Sequence, residues 1–215
     1  MDTVVYLIRH SEVCSKNNFN NIDVKDDFQI TNEKAILSIS GEKKAEALSK
    51  CSELQNIDAV YSSNYVRALA TAKYIAQENN TIVNVDERFN ERKIGSVADG
   101  DFKEFFRLQA RDFDYKTSNG ESLNQTKKRI VEAMKNVLMF ETGNRVAIIS
   151  HSTALTCLLS AWCELGRNYD EEIILSYNDQ TIGDGRWTAP AVVKVTFEGM
   201  NVTNIECLDL LSAKK

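Results

Sequence analysis

The stretch that decides the fold is Thr3-Val4-Val5-Tyr6-Leu7-Ile8-Arg9-His10-Ser11-Glu12. Residues 3–8 are uncharged, β-branched or aromatic, and too few for a helix, so they read as a buried strand. A second stretch repeats the pattern: Val146-Ala147-Ile148-Ile149-Ser150 runs into His151, Ser152 and Thr153. The chain has two histidines, and each stands just past one of these apolar runs. Strands apolar on both faces belong to parallel sheets covered by helices. In such sheets ligands bind beyond the carboxyl ends of the strands.

Working outward, further strands are expected at 59–61 and 81–85, and a terminal hairpin over 191–210 turns at Glu198-Gly199. Helices are expected from about Gly41 to residue 54, over 62–78, 101–115, 121–141 and 153–162. The helix over 62–78 opens with two serines, one of which is expected to cap it. The alternation predicts an α/β three-layer sandwich: a mostly parallel central sheet, helices on both faces and an antiparallel edge from the hairpin. A length of 215 residues fits a single domain over 1–215. Within it, residues 95–122 are expected to form a helical cover over the strand ends.

Composition narrows the function classes. A net charge of -5 argues against nucleic acid as a partner. Five cysteines, an odd number without a CxxC pair, read as reduced thiols in a cytoplasmic protein. No signal peptide and no membrane-spanning apolar run is visible.

A lone histidine after a strand is usually structural, but two in equivalent places call for a shared role. Zinc ligation lacks a Cys or carboxylate cluster at ligand spacing. A serine nucleophile in SHST lacks the flanking glycines of G-x-S-x-G. No cysteine is followed by Arg at the Cys-phosphatase spacing, no G-x-x-x-x-G-K-[ST] loop is present, and DFDYKT follows a helical rather than an apolar segment. The arginines point elsewhere. Arg9 adjoins His10, and Arg67 lies near the start of a helix that follows a strand. Helix N-termini attract anions, and Arg presents a planar fork of donors that matches phosphate oxygens.

These segments resemble the histidine phosphatase superfamily, which includes the cofactor-dependent phosphoglycerate mutases. LIRHSE is similar to its L-x-R-H-G-E, LSISGEKKAEAL to L-S-x-x-G-x-x-Q-A-x-x-L, and YSSNYVRALATA to S-S-x-x-x-R-A-x-x-T-A. FNERKIG resembles L-x-E-x-x-x-G and the N-E-R-x-x-G of the mutases. NGESLNQTKKRI resembles G-G-E-S-x-x-x-x-x-R, and VAIISHSTA resembles V-x-x-V-S-H-G-x. The six blocks stand in family order from residue 4 to about residue 160.

The resemblance implies that His10 is a nucleophile forming a phosphohistidine, with Arg9, Arg67 and His151 around the transferred phosphoryl group. Glu91 is implied to protonate the leaving oxygen and then activate water, and the spacing from Phe89 to Gly95 selects it over Glu87. Arg92 is implied as a substrate contact, and Ser62 as a helix cap lying near the phosphate. No metal and no cofactor is implied, since arginines and the second histidine supply the positive charge. The chain departs from the pattern at Ser11 and Ser152, which replace glycines, and at Val13 and Lys16, which replace Thr and Asn. Ser11, Ser152 and Asn17 are therefore candidate substrate contacts, with Asn18 as an alternative to Asn17.

The expected activity is a metal-independent phosphatase acting on a small phosphorylated metabolite. A phosphoglycerate mutase and a non-catalytic phospho-ligand binder are the alternatives, and a homodimer stays open. Phe102, Phe105, Phe106 and Tyr115 either shape a pocket for a ring-bearing leaving group or pack the cover onto the sheet, the second being preferred.

Overall fold

Strand β1, Asp2–Arg9, lies in the interior of the principal sheet, with residues 5–8 fully buried. The computed structural model describes residues 1–14, 28–97, 101–185 and 187–211. After β1 come α1 (Phe28–Lys34), α2 (Ile39–Ser49), β2 (Ala59–Ser62), α3 (Val66–Glu78) and β3 (Val83–Val85). Then follow α4 (Phe102–Arg111), α5 (Leu123–Phe140), β4 (Arg145–Ser150) and α6 (Ser152–Leu159). The chain continues through β5 (Glu164–Arg167), β6 (Ile173–Tyr177), β7 (Gln180–Gly183), β8 (Ala191–Glu198) and β9 (Asn201–Leu208).

The principal sheet has the order β3-β2-β4-β1-β8-β9. Its first four strands are parallel, and β8 and β9 form the antiparallel edge. Successive side chains of a strand point to opposite faces, so each face of β1 feeds its own core. Val5 and Leu7 join Ile130, Met134, Leu155 and Leu158 beneath α5 and α6. Tyr6 and Ile8 join Leu48, Ala68 and Ile75 beneath α2 and α3. That two-sided burial is why β1 and β4 read as unbroken apolar runs.

Register makes the site. Arg9 of β1 lies beside Ser150 of β4, and the His10 amide donates to the Ser150 carbonyl at 3.0 Å. The two strands therefore end level, and His10 and His151 leave the sheet side by side.

Two expectations need correction. The serines at 62 and 63 do not cap α3, whose N-cap is Tyr65 with no side-chain hydrogen bond. Ser62 is the last residue of β2 and its hydroxyl donates to the Ser63 carbonyl. A second, three-stranded antiparallel sheet, β5-β6-β7, was also not expected. β5 is exposed throughout, so it lacks the apolar alternation that announces a strand. The β6–β7 turn uses Asn178 and Asp179, both at positive φ (49° and 61°), a conformation Asn and Asp tolerate better than most residues. The helices over 101–115 and 121–141 are real but shorter, α5 being opened by a capping box between Ser122 and Gln125. Among the described residues, no helix is long and apolar enough to cross a membrane.

Candidate active site

His10 is 6% exposed. Its Nδ1 lies 2.7 Å from the Ser11 carbonyl, which can only accept, so Nδ1 carries the ring proton. Its Nε2 accepts from Arg67 Nε at 3.0 Å and is therefore unprotonated. Burial, then the positive charges of Arg67 and Arg9, push the imidazole down to about 3 against the opposing pull of the Ser11 hydrogen bond. His10 is thus a neutral imidazole with a lone pair on Nε2 at neutral pH, the form a nucleophile requires.

Three further groups surround His10. Arg67, buried on the first turn of α3, also donates to the Asn32 carbonyl and stacks on Tyr65. Arg9 donates to the carbonyls of Trp187 and Thr188, while its buried Nε has no hydrogen-bond partner. His151 is fully buried at the start of α6, its ring centroid 5.1 Å from that of His10. Its Nε2 is 2.8 Å from Ser63 Oγ, and its Nδ1 has no partner. Buried polar groups in proteins are nearly always paired, so these two unpaired nitrogens near His10 mark a place for a polar ligand.

Glu91 sits at the N-terminus of α6. Its Oε1 accepts from the amides of Arg92 (2.8 Å) and Ala154 (3.0 Å), and its Oε2 from Thr153 at 3.3 Å. Oε2 has the single, longer contact and keeps the more open lone pairs. The backbone carrying Glu91 is itself held by Arg129 of α5, which donates to the carbonyls of Arg88, Asn90 and Glu91. Arg129 is fixed in turn by two bonds to Glu121, of 2.7 and 2.8 Å. Burial alone would raise the Glu121 carboxyl, but Arg129 and the Lys93 amide hold it below its ordinary range.

The structure brings together Arg9, His10, Arg67, Glu91, Arg92 and His151, and it reassigns others. Ser11 does not face the site: its hydroxyl donates to the Gly41 carbonyl at 2.7 Å and its amide to Thr71. The side chain that replaces glycine here ties β1 to α2, because Gly41 approaches so closely that a Cβ would stand 2.0 Å from the Glu12 carbonyl oxygen. Ser62 is fully buried and bonded to its own neighbour, not placed as a substrate contact. Asn17, Asn18 and Lys16 lie outside the described residues. Ser152 lines a cavity of about 840 Å³ together with Arg92, Phe106, Tyr169 and Trp187, and neither histidine lines it.

The aromatic residues of the cover divide. Phe105 is buried and stacks on the Arg92 guanidinium, whereas Phe106 is 48% exposed and reaches the cavity. Arg92 also donates to Gln109 of α4, and its buried Nε is unpaired. Sequence reasoning missed Ser63, Asn90, Glu121 and Arg129 as parts of the site. The last two stood in the quoted NGESLNQTKKRI block without a role, and Asn90 and Ser63 stood beside residues that had one. Among the described residues, no group of three or more His, Cys, Asp or Glu side chains is placed to hold a metal ion.

Parallel strands that end in two histidines, with buried arginines beside them, make an α/β protein with a buried cationic site at its strand ends. A model of the histidine phosphatase superfamily (branch 1) matches residues 5–188, and the chain belongs to that superfamily. A relative named "Probable phosphoglycerate mutase GpmB" from Serratia proteamaculans is 30% identical over 164 residues, covering 73% of this chain and 73% of the relative. A protein of the same name from Salmonella arizonae is 28% identical over 174 residues, with 74% and 77% covered. Among solved structures, a mycobacterial glucosyl-3-phosphoglycerate phosphatase bound to inorganic phosphate has a TM-score of 0.66 at 16% identity, over 95% of each chain. A phosphoserine phosphatase from Entamoeba histolytica, in complex with phosphoserine, has a TM-score of 0.62 at 18% identity, over 94% of this chain and 96% of that one. At these identities the solved structures share the fold.

Proposed function

We propose that the chain is a metal-independent phosphatase that hydrolyses small phosphomonoesters through a phosphohistidine at His10. The observation that carries this reading is the neutral His10 ring, with Nδ1–H donated to Ser11 and the Nε2 lone pair turned towards Arg67. In the first step Nε2 attacks phosphorus, the P–N bond forms, and the P–O bond to the leaving group breaks. Glu91 gives its proton to that oxygen from Oε2. Arg67 exchanges His10 for a phosphoryl oxygen, and with Arg9 and His151 it balances the charge that spreads over the transferring group. In the second step Glu91 takes a proton from water, the water oxygen attacks phosphorus, and the P–N electron pair returns to His10.

A second reading, a phosphoglycerate mutase, is favoured by the names of the sequence relatives and by Arg92, a buried cation next to Glu91. A mutase returns the phosphoryl group to a second hydroxyl of the substrate instead of to water, and it needs a bisphosphorylated primer. The deciding assay is release of nitrophenol from p-nitrophenyl phosphate in EDTA by the native chain and by His10→Ala. The phosphatase reading expects steady release, lost by roughly a thousandfold or more in the variant. Turnover of 3-phosphoglycerate to 2-phosphoglycerate only with primer selects the mutase, and phosphate binding without turnover selects a binder.

A further inference from the structure

The two histidines are bonded differently, and the difference can be followed atom by atom. Asn90 Oδ1 accepts the Asn64 backbone N–H at 3.0 Å, which fixes that end of the amide as the acceptor. The Ser63 hydroxyl donates its one proton to the same oxygen at 2.8 Å. Ser63 Oγ also accepts the Tyr65 amide at 3.1 Å, leaving one lone pair for His151 Nε2, 2.8 Å away. That nitrogen must therefore carry a hydrogen. In the neutral ring Nδ1 is then bare, and it is the buried nitrogen without a partner. His10 has the opposite arrangement, with its proton on Nδ1.

We infer that Ser63, held by Asn90, locks His151 with its proton on Nε2, so that an oxyanion entering the site takes up one proton at His151 Nδ1. The inference rests on the reading that His10 and His151 flank a phosphoryl group. A bare Nδ1 opposes an anionic oxygen, whereas Nδ1–H⁺ donates to it and adds a charge. Full burial, and then the nearby His10, Arg67, Arg129 and Arg9, keep the ring neutral in the free protein. Facing it as well are Glu91, on the helix terminus that His151 begins, and Tyr65, whose phenol burial pushes up to about 12. An anion reverses the balance among these groups. Ser63 and Asn90 are positioning residues, acting through His151.

Having two histidines makes the test direct. In ¹⁵N-histidine-labelled native protein, long-range ¹H–¹⁵N spectra are expected to show a neutral His10 protonated at Nδ1 and a neutral His151 protonated at Nε2. Sulfate, which stays a dianion from about pH 6 to about pH 8, serves as the probe. Calorimetry in buffers of different protonation enthalpy should show close to one proton taken up per sulfate, with affinity falling about tenfold per pH unit. The spectra should place that proton on His151. Ser63→Ala and Asn90→Ala free the ring to put its own proton on Nδ1, so the affinity should become independent of pH within about twofold. Ser63→Thr should restore the slope.

A free His151 protonated at Nδ1, sulfate binding without proton uptake, or a proton arriving on His10 overturns the inference. Sulfate that fails to bind a chain still hydrolysing p-nitrophenyl phosphate overturns the linkage and leaves the phosphatase reading standing. Failure of both overturns the two together. Should the Ser63 variants not fold, the spectra and calorimetry of the native chain decide alone.

Discussion

At the carboxyl ends of β1 and β4, His10 and His151 are 6% and 0% exposed, and Arg67 is 5% exposed. On α4 and in the turn before β6, by contrast, the side chains of Arg107, Arg111 and Glu171 are 41%, 49% and 31% exposed. Both regions are held by charge. In the first, arginines are desolvated, face backbone carbonyls and a neutral imidazole, and leave donors unpaired. In the second, Arg107 and Arg111 of α4 both meet Glu171 in the turn before β6, and the ion pairs sit in water. The buried set is costly to assemble and therefore has few alternative arrangements; the exposed set is screened and exchanges partners freely. The first is suited to holding one geometry, the second to local adjustment.

The comparison can be broken most sharply at Glu91. Glu91→Gln keeps the shape and an oxygen for the Arg92 and Ala154 amides, loses the longer Thr153 contact and removes the exchangeable proton, so kcat should fall by about 10² to 10⁴. KM should change little, as steady-state kinetics on p-nitrophenyl phosphate would reveal. An equal rise in KM would instead make Glu91 a binding group. Next comes the support behind it. Arg129→Met leaves the half-buried Glu121 with only the Lys93 amide and frees the Glu91 backbone, at a cost on the order of 3 kcal/mol read from denaturant unfolding.

The pH dependence of that loss has a definite sign. Glu121 is held below its ordinary range in the folded chain, so the pair's contribution is present above the unfolded carboxylate pKa. It is lost as pH falls through the lower, folded value. Native and Arg129→Met proteins should therefore converge in stability on acidification and diverge towards neutral pH. A gap that is constant with pH would show that Arg129 acts through packing alone. The smallest effect belongs to the exposed set: Glu171→Gln should leave kcat/KM for p-nitrophenyl phosphate within about twofold. A larger change would mean that the exposed pairs also fix geometry near the reacting atoms.

The same contrast governs what could be read from the sequence. β1 and β4 were legible because burial on both faces leaves an apolar signature, and His10, Arg9 and His151 were legible because they adjoin those runs. Arg67, Glu91 and Arg92 were found through motif spacing. The three-stranded sheet was not, because its short strands are half exposed and carry no alternation. Ser63 and Asn90 escaped for another reason: Ser63 belongs to the site through a hydrogen bond with a histidine 88 positions away, Asn90 through the hydroxyl of Ser63 27 positions before it, and no local pattern encodes that. Ser11 misled because replacing glycine beside a nucleophile suggests a substrate contact. The space its hydroxyl uses, against Gly41, exists only once α2 has docked.

The hold of Trp187 and Thr188 on Arg9 ties the beginning of the chain to a segment 178 and 179 positions later. β1 likewise pairs on one side with β4 and on the other with β8, whose last residue is Glu198. Unpairing β8 from β1 would therefore release Arg9 from the carbonyls that orient it, so the edge of the sheet and the neighbour of His10 stand or fall together.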